Sequence, residues 1–299
     1  MADNKRQRAR IQGSWAGQPS VSKTRGSGAG PGSKPPHRTG PNPNAVSLTR
    51  KTPESTTSQL TSGQSDCLQQ TLTFTETGLI RRVPEPKEIA KDGSYVISME
   101  PGGEARITLT RDFLLSEEAD YVFATLRDEI PWAQKQNCIQ GQTFDEPRLT
   151  YWFGEYPYAY TKVSWEKNTD WNETLLYVKS RIEERTGHTF NSCLLNFYRN
   201  GKDHVSWHSD DEPSLGSKPT IASVSLGDSR TFEMRKKPPP EENGDYTYMY
   251  TEKLRIPLTH GSLLMMEGAS QDDWQHQIPR EYHDRDARIN LTFRTIYPE

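Results

Sequence analysis

The residues best suited to chemistry in this chain are a histidine and an aspartate two positions apart. They lie in Trp207-His208-Ser209-Asp210, and if this stretch is extended, His208 and Asp210 point to the same side. One imidazole and one carboxylate hold a metal poorly, so a third ligand is needed. Two histidines and one carboxylate form the facial triad of non-haem Fe(II) oxygenases, which leaves coordination positions open for co-substrates. The pattern therefore predicts a second histidine ligand elsewhere in the chain.

Spacing alone does not select that histidine. The chain has seven histidines, and His276 and His283 both follow His208 at a distance that suits a second ligand. His204 and His208 are four residues apart, which on a helix would resemble half of a zinc hydrolase site. Val205 stands where such a site carries a glutamate, so zinc hydrolysis is disfavoured.

The segment Arg288–Arg294 alternates between apolar and polar side chains. The apolar set is Ile289, Leu291 and Phe293, and the polar set is Arg288, Asn290, Thr292 and Arg294. A period of two places the sets on opposite faces of a strand. If the polar face lines a barrel, its guanidiniums require anions, and a small dicarboxylate fits because guanidinium binds carboxylate in a bidentate fork. Asn196 and Tyr198 share a face in the same way. The alternative is an edge strand with a solvated polar face.

Two helices are expected ahead of these segments. Ser116 is suited to be the N-cap of the first helix, and Pro131 ends it. The second is predicted to run from about Asp170 to Thr186, with Gly187 in a left-handed C-terminal cap.

Beyond Gly187, short apolar runs are separated by turn residues, as in antiparallel β-structure. The predicted strands are Ser192–Tyr198, Thr220–Leu226, Thr231–Arg235, Tyr246–Ile256, Ser262–Met266 and Arg288–Ile296. Because no helices interleave with them, we predict a mainly β fold with packing helices and a double-stranded β-helix core, which is a cupin-like jelly roll.

Composition divides the 299 residues into two parts. Residues 1–66 are rich in Gly, Pro, Ser and Thr and carry 10 Lys and Arg against 3 Asp and Glu, a charge of +7, so we expect a disordered basic tail. Residues 67–299 carry 27 bases against 37 acids and are long enough for one well-cored domain. No apolar run is long enough for a membrane span, and no secretory signal is visible, so we expect no membrane association.

The tail begins with a basic cluster within residues 5–10. It could serve as a nuclear address, attract nucleic acid, or remain a solvated tail. Because the body is acidic, any nucleic acid would have to bind a local basic groove, for which Arg148, Arg235, Lys236 and Lys237 are candidates.

The motifs together resemble the AlkB family of Fe(II)/2-oxoglutarate dioxygenases, whose signature is HxD…H…RxNxTFR. Here HSD stands at 208–210, His276 follows, and RINLTFR occupies 288–294. NFYRN at 196–200 and PRLTYWFGE at 147–155 also match, so the resemblance covers essentially the whole body.

The resemblance implies roles for individual residues. His208, Asp210 and His276 would ligate Fe(II) and form the catalytic centre. Arg288, assisted by Tyr198, would bind the distal carboxylate of 2-oxoglutarate. Around them, the remaining cofactor residues would be Asn196 and Arg294 near the keto-acid end, with Asn290 and Thr292 in support.

An aromatic-rich segment, residues 151–160, follows the second motif. Aromatic rings can stack on an unpaired base, although a hairpin with core rings is the alternative. The resemblance implies that this region lines the substrate cleft, and the candidate substrate residues are Trp132, Tyr158, Ala159, Tyr160 and Asp211. Asp211 would contact a cationic methylated base, and we expect its carboxylate to be buried.

The activity implied by the resemblance is oxidative demethylation, an oxidoreductase reaction of alkylation-damage repair. N1-methyladenine and N3-methylcytosine in single-stranded DNA and RNA would be restored with release of formaldehyde, while 2-oxoglutarate and O2 become succinate and CO2. A helicase that exposes single strands is a compatible partner, and the expected location is the nucleus and cytoplasm. Two alternatives stay open: a 2-oxoglutarate-dependent protein hydroxylase or demethylase, and a binding module without metal.

Overall fold

The computed structural model describes residues 82–139, 142–160, 163–239 and 247–298. Within these ranges the chain forms two α-helices, α1 (Ser116–Glu129) and α2 (Glu173–Thr186). The strands are β1 (Lys87–Glu88), β2 (Gly93–Ser98), β3 (Ala105–Thr110), β4 (Gln136–Ile139), β5 (Gln142–Asp145), β6 (Leu149–Gly154), β7 (Tyr158–Tyr160), β8 (Val163–Trp165), β9 (Ser192–Tyr198), β10 (Val205–His208), β11 (Ile221–Gly227), β12 (Arg230–Lys236), β13 (Lys253–Leu258), β14 (Ser262–Gly268), β15 (Trp274–Ile278) and β16 (Arg288–Arg294). The proposed tail, residues 1–66, and its boundary lie outside the described residues.

Two large sheets contain most of the strands. The larger sheet has the order β2-β3-β14-β11-β16-β9-β6, and the smaller has the order β1-β13-β12-β15-β10. From β9 to β16 the chain passes from one sheet to the other at every step except the β12–β13 hairpin. Neighbouring strands within each sheet pair antiparallel, except that β1 and β13 pair parallel. This winding is the double-stranded β-helix, or jelly roll, that the sequence predicts.

Both helices form where the sequence predicts them, but α1 begins one residue earlier than predicted and α2 about three residues later. The N-cap of α1 is Leu115, so Ser116 is already helical and its prediction as the cap was wrong. The second helix begins at Glu173 rather than near Asp170, because the Asn172 side chain accepts a hydrogen bond from the Leu175 amide (3.2 Å) and caps it. Gly187 ends this helix with φ 75°, as predicted.

Strand boundaries differ most where aromatic residues raised the β-propensity. The predicted strand Tyr246–Ile256 was wrong over residues 247–252, since Tyr248–Tyr250 form a 3-10 turn and pairing begins only at Lys253; Tyr246 lies outside the described residues. The strand Trp274–Ile278 was not predicted. It pairs with both neighbours in the smaller sheet and carries a residue of the candidate site.

Two hydrophobic cores sandwich the larger sheet. One lies between this sheet and the helices, where Ile289, Leu291 and Phe293 of β16 pack with residues such as Val122 and Leu175. The other lies between the two sheets and includes Phe232, Met234, Leu264 and Trp274. The polar residues of β16 therefore point between the sheets. Of the described helices, neither has the length and apolar character needed to cross a bilayer.

Candidate active site

Two neighbouring strands and one loop bring the predicted metal ligands together. His208 ends β10 and is paired directly with His276 of β15, and their ring centroids lie 4.2 Å apart. Asp210 follows in the next loop, so that one ligand atom from each of the three side chains lies within 4.8 Å of the others. Two histidines and one carboxylate in this arrangement are suited to a mononuclear Fe(II) centre with open positions.

A β-bulge directs His208 inward. Val205 pairs with Ile278 and His208 with His276, so three residues of β10 advance while β15 advances two. Val205 and His208 both line the cavity between the sheets, although a regular strand would place residues three apart on opposite faces. The extra residue is therefore what makes His208 available as a ligand.

Hydrogen bonds fix the orientation of two of the three ligands. The Nδ1 of His208 donates to the Ser206 carbonyl (2.7 Å), which directs Nε2 to the interior, 3.8 Å from Asp210 Oδ1. The other carboxylate oxygen of Asp210 accepts from Arg294 Nη2 (2.7 Å) and Nε (3.1 Å). The Asp210 amide donates to the buried Gln271 side chain (3.0 Å). His208 and Asp210 thus each have one edge held by the protein and another directed toward their neighbours, whereas His276 Nδ1 has no hydrogen-bond partner among the described residues.

The electrostatics keep all three groups in the forms that bind metals. Burial would raise the pKa of Asp210, but the charge of Arg294 and the two histidines outweigh it and hold the pKa at about 2. Burial, together with His208, lowers the pKa of His276 to about 3, and burial also lowers the pKa of His208. At neutral pH the site therefore offers two neutral imidazoles and one carboxylate.

The polar face of β16 lines the same cavity, as alternation predicts. Lining residues from this strand and from β9 are Arg288, Asn290, Thr292, Arg294, Asn196 and Tyr198. Arg288 donates to Ser225 Oγ (3.0 Å) through Nη2, and its guanidinium lies 5.0 Å from the Tyr198 ring. Its Nε and Nη1 have no hydrogen-bond partner among the described residues, and burial lowers its pKa to about 10. A buried guanidinium with unused donors is suited to a carboxylate ligand.

The amide and hydroxyl groups of this face bond to one another and to β11. Asn290 Nδ2 donates to Ser223 Oγ (2.8 Å) and to the Val224 carbonyl (3.0 Å), and Thr292 Oγ1 donates to Asn290 Oδ1 (3.0 Å). These bonds make Asn290 and Thr292 supports of the cavity wall. The serines of β11 were not predicted, although they alternate with apolar residues in 222–226 in the same way as β16 does.

Residues predicted to contact substrate are more dispersed. Tyr158 lines the cavity but is buried, stacked on Trp152 with centroids 4.8 Å apart. Ala159 is exposed beside it, and the side chain of Tyr160 lies outside what the structure describes. Trp132 does not line the metal cavity: it packs on Phe197 (5.2 Å).

Asp211 is not buried, contrary to expectation. Its side chain is 61% exposed, and its Oδ2 lies 3.6 Å from Lys237 Nζ. The side chain of Asp210 turns into the cavity and that of Asp211 turns away, because consecutive residues of an extended loop face opposite directions.

Three of the four basic residues considered for phosphate contacts make contacts within the protein. Arg148 is buried in the cavity wall, where its Nε donates to Asn196 Oδ1 (2.7 Å) and its Nη2 lies 3.5 Å from Glu146. Arg235 stacks on two aromatic rings. Lys237 donates to the Gln271 carbonyl (3.0 Å) as well as lying near Asp211.

The fold and the site together define a mononuclear-iron oxygenase on a jelly-roll scaffold. The family model described as "2OG-Fe(II) oxygenase superfamily" matches residues 106–294. The chain is 49% identical over 299 residues to the alpha-ketoglutarate-dependent dioxygenase alkB homolog 3 of Mus musculus, covering 99% of this chain and 98% of that protein. The Homo sapiens alkB homolog 3 is 56% identical over 221 residues, covering 74% of this chain and 77% of that protein. The chain belongs to the 2OG-Fe(II) oxygenase superfamily and, within it, to the alkB homolog 3 family.

A second set of relatives is more distant. The Mus musculus protein named DNA oxidative demethylase ALKBH2 is 36% identical over 185 residues, covering 60% of this chain and 76% of that protein. This chain is thus a dioxygenase that uses Fe(II), 2-oxoglutarate and O2. The donor set and the unpartnered guanidinium of the cavity fit the metal and the co-substrate, respectively.

Proposed function

We propose that the chain is an oxidative demethylase of nucleic acids. Its substrates are N1-methyladenine and N3-methylcytosine in single-stranded DNA and RNA, and the methyl group leaves as formaldehyde. The observation that carries the proposal is the near full-length identity to the alkB homolog 3 proteins, reinforced by a named DNA oxidative demethylase among the relatives.

Iron is assigned to His208, Asp210 and His276, and it would supply the oxidising chemistry together with 2-oxoglutarate and O2. The protein's own residues position and shield these groups. In this assignment Arg288 and Tyr198 bind the distal carboxylate, Asn196 and Arg294 lie at the keto-acid end, and Asn290 and Thr292 brace the wall.

Substrate recognition is assigned to the aromatic hairpin and to Asp211. Methylation at N1 of adenine or N3 of cytosine makes the base cationic, and a carboxylate beside the metal ligands would favour that form over the neutral parent. Lys237, 3.6 Å from Asp211, pairs with this carboxylate in the protein, and a cationic base would take its place. Because single strands require no unpairing, they are the preferred substrates.

The remaining parts of the proposal concern the cell. The basic tail, with a charge of +7, adds non-specific attraction to nucleic acids. A helicase that exposes single strands is the partner class that fits, and the proposed location is the nucleus and cytoplasm. Coprecipitation with helicases and imaging of chains with and without residues 1–66 would test these assignments.

The decisive experiment uses a short single strand carrying one N1-methyladenine. The strand is incubated aerobically with the protein and Fe(II), with and without 2-oxoglutarate, and weighed by mass spectrometry. Loss of one methylene only when 2-oxoglutarate is present supports the proposal. Succinate without loss of mass would instead indicate another oxidisable substrate, a protein first.

The contribution of Asp211 is tested by D211N. The matched control is D128N, because Asp128 is similarly exposed (65%) and is also paired with a base, Arg127. We expect D211N to lower demethylation of the cationic base while sparing 2-oxoglutarate consumption without nucleic acid, and D128N to change neither. An equal loss of both activities in D211N would make the residue structural.

A further inference from the structure

Trp207, the residue before the metal ligand His208, makes an aromatic contact on the outer side of the smaller sheet. The guanidinium carbon of Arg235 lies 4.4 Å from the centroid of the Trp207 ring and 3.7 Å from that of the Tyr248 ring. Arg235 points outward because Phe232 and Met234, its alternating neighbours on β12, are core residues. Both distances are in the range of cation–π interactions.

The same guanidinium is also held by hydrogen bonds to the adjacent strand β15. Its Nε and Nη2 both donate to Gln275 Oε1 (3.0 and 2.7 Å), and Gln275 is the register partner of Arg235 on β15. One side chain thus links three adjacent strands, β12, β15 and β10. In this orientation it is committed to the fold and is not a free surface cation.

The strand that benefits is weakly paired within the smaller sheet. β10 lies at the edge and pairs with β15 at only two register positions, with the bulge between them. Trp207 is in that bulge and has no register partner. A shift of one residue in β10 would turn His208 out of the cavity, because neighbouring residues of a strand face opposite sides.

We propose that Arg235 is a positioning residue for the iron centre. By clamping Trp207 it fixes the bulge, and the fixed bulge keeps His208 beside His276. The inference rests on the iron-binding part of the proposed function and not on the nucleic-acid substrate. Lost clamping should therefore weaken the binding of metal before it changes the binding of a strand.

The test compares R235A and W207A with wild type. The control is R255A, since Arg255 lies on β13, which β12 and β15 separate from β10, and pairs with Glu233 (3.3 Å). Co(II) is used as the metal probe because its visible absorption reports the coordination geometry. Hydrogen exchange over residues 205–210 is measured on the metal-free protein, and the KM for a methylated single strand is measured at two salt concentrations.

Loss of a group that orients a metal ligand typically weakens metal binding about 10- to 100-fold. We expect this loss in R235A and W207A, with faster exchange of residues 206–208 and an unchanged KM for the strand. R235K should behave like R235A because an ammonium cannot stack as a plane, whereas W207F should recover most of the affinity. R255A should match wild type.

Unchanged Co(II) affinity and exchange in both R235A and W207A would overturn the proposal. A raised, salt-dependent KM with normal Co(II) affinity would make Arg235 a phosphate contact instead. If wild type itself fails to bind Co(II), the proposed function fails, and the exchange data alone decide whether Arg235 clamps β10.

Discussion

Replacing Arg288 by methionine tests whether this residue binds the carboxylate of 2-oxoglutarate. Its side chain is 1% exposed, and two of its nitrogens have no hydrogen-bond partner among the described residues. Removing one partner of a buried, hydrogen-bonded charge pair costs about 2–5 kcal/mol. At about 1.4 kcal/mol for each factor of ten, R288M should raise the 2-oxoglutarate requirement roughly 30- to 4,000-fold.

The ligand-free protein should tolerate this change. R288M removes a buried charge along with its unused donors, and the main loss is the bond to Ser225. Apolar replacement of buried charged groups is often neutral or stabilising, so the melting temperature without 2-oxoglutarate should stay within a few degrees of wild type. The stabilisation given by saturating 2-oxoglutarate, about 2.7 kcal/mol at 100 times its Kd, should disappear.

The assay is succinate release as a function of 2-oxoglutarate concentration, alongside thermal unfolding with and without 2-oxoglutarate. R288K keeps the charge but loses the planar fork, so we expect an intermediate effect. R111A serves as the control, because Arg111 is half exposed and is paired with Asp92 away from the cavity. A folded R288M protein with a 2-oxoglutarate requirement within about threefold of wild type would refute the assignment.

Three further predictions concern the metal pair, a helix end and a titrating acid. D210A should abolish Co(II) binding, and it should lower the free energy of unfolding in urea by about 3–5 kcal/mol because Arg294 is left buried without its carboxylate. Adding R294M should restore stability but not metal binding. A D210A variant as stable as wild type would contradict this prediction. G187A should lower the free energy of unfolding by about 1 kcal/mol through backbone strain alone, because φ is 75° and no atom lies within 4 Å of an added Cβ. G187N should lower it less, because Asn adopts positive φ more readily than Ala. Equal losses of stability in the two variants would contradict this reasoning. Burial and then Asp210 raise the pKa of Glu212 from 4.5 to about 7, so the folded protein keeps a proton that the unfolded chain releases, and this residue should lower stability as pH rises from about 4.5 to 7. E212Q, unfolded in urea with EDTA at pH 5 and pH 8, should lose less stability over that interval than wild type, and an identical pH dependence would reject the shift.

Local alternation was sufficient to predict one wall of the site. The separation of Ile289, Leu291 and Phe293 from the polar residues of β16 follows from a period of two, and the two sets do face the helix-side core and the cavity. The jelly roll was predicted from a run of short strands with no interleaved helices. These features depend on short stretches of sequence, which is why the sequence reveals them.

Features set by pairing between distant strands could not be predicted in that way. His276 and His283 were equivalent by spacing, and only the pairing of β10 with β15 places His276 opposite His208 while His283 is exposed. The burial expected for Asp211 was wrong because adjacency to a ligand does not determine which way a loop residue faces. The support that Arg294 gives Asp210 joins residues 84 positions apart and likewise has no local signal.

The pairing of charges around the cavity has a consequence for the order of assembly. Arg294 is neutralised by Asp210 and Arg148 by Glu146, and the two histidines are neutral. Among the described residues that line the cavity, Arg288 therefore contributes the one uncompensated positive charge. A dicarboxylate brings two negative charges, so only after a divalent cation is bound does the total remain positive. Metal and 2-oxoglutarate should consequently strengthen each other's binding by the same factor, since such coupling is reciprocal. By this count the metal-free cavity favours a monoanion, which leaves it neutral, over a dianion, which leaves it negative, and selectivity for the dicarboxylate arises only with the metal in place.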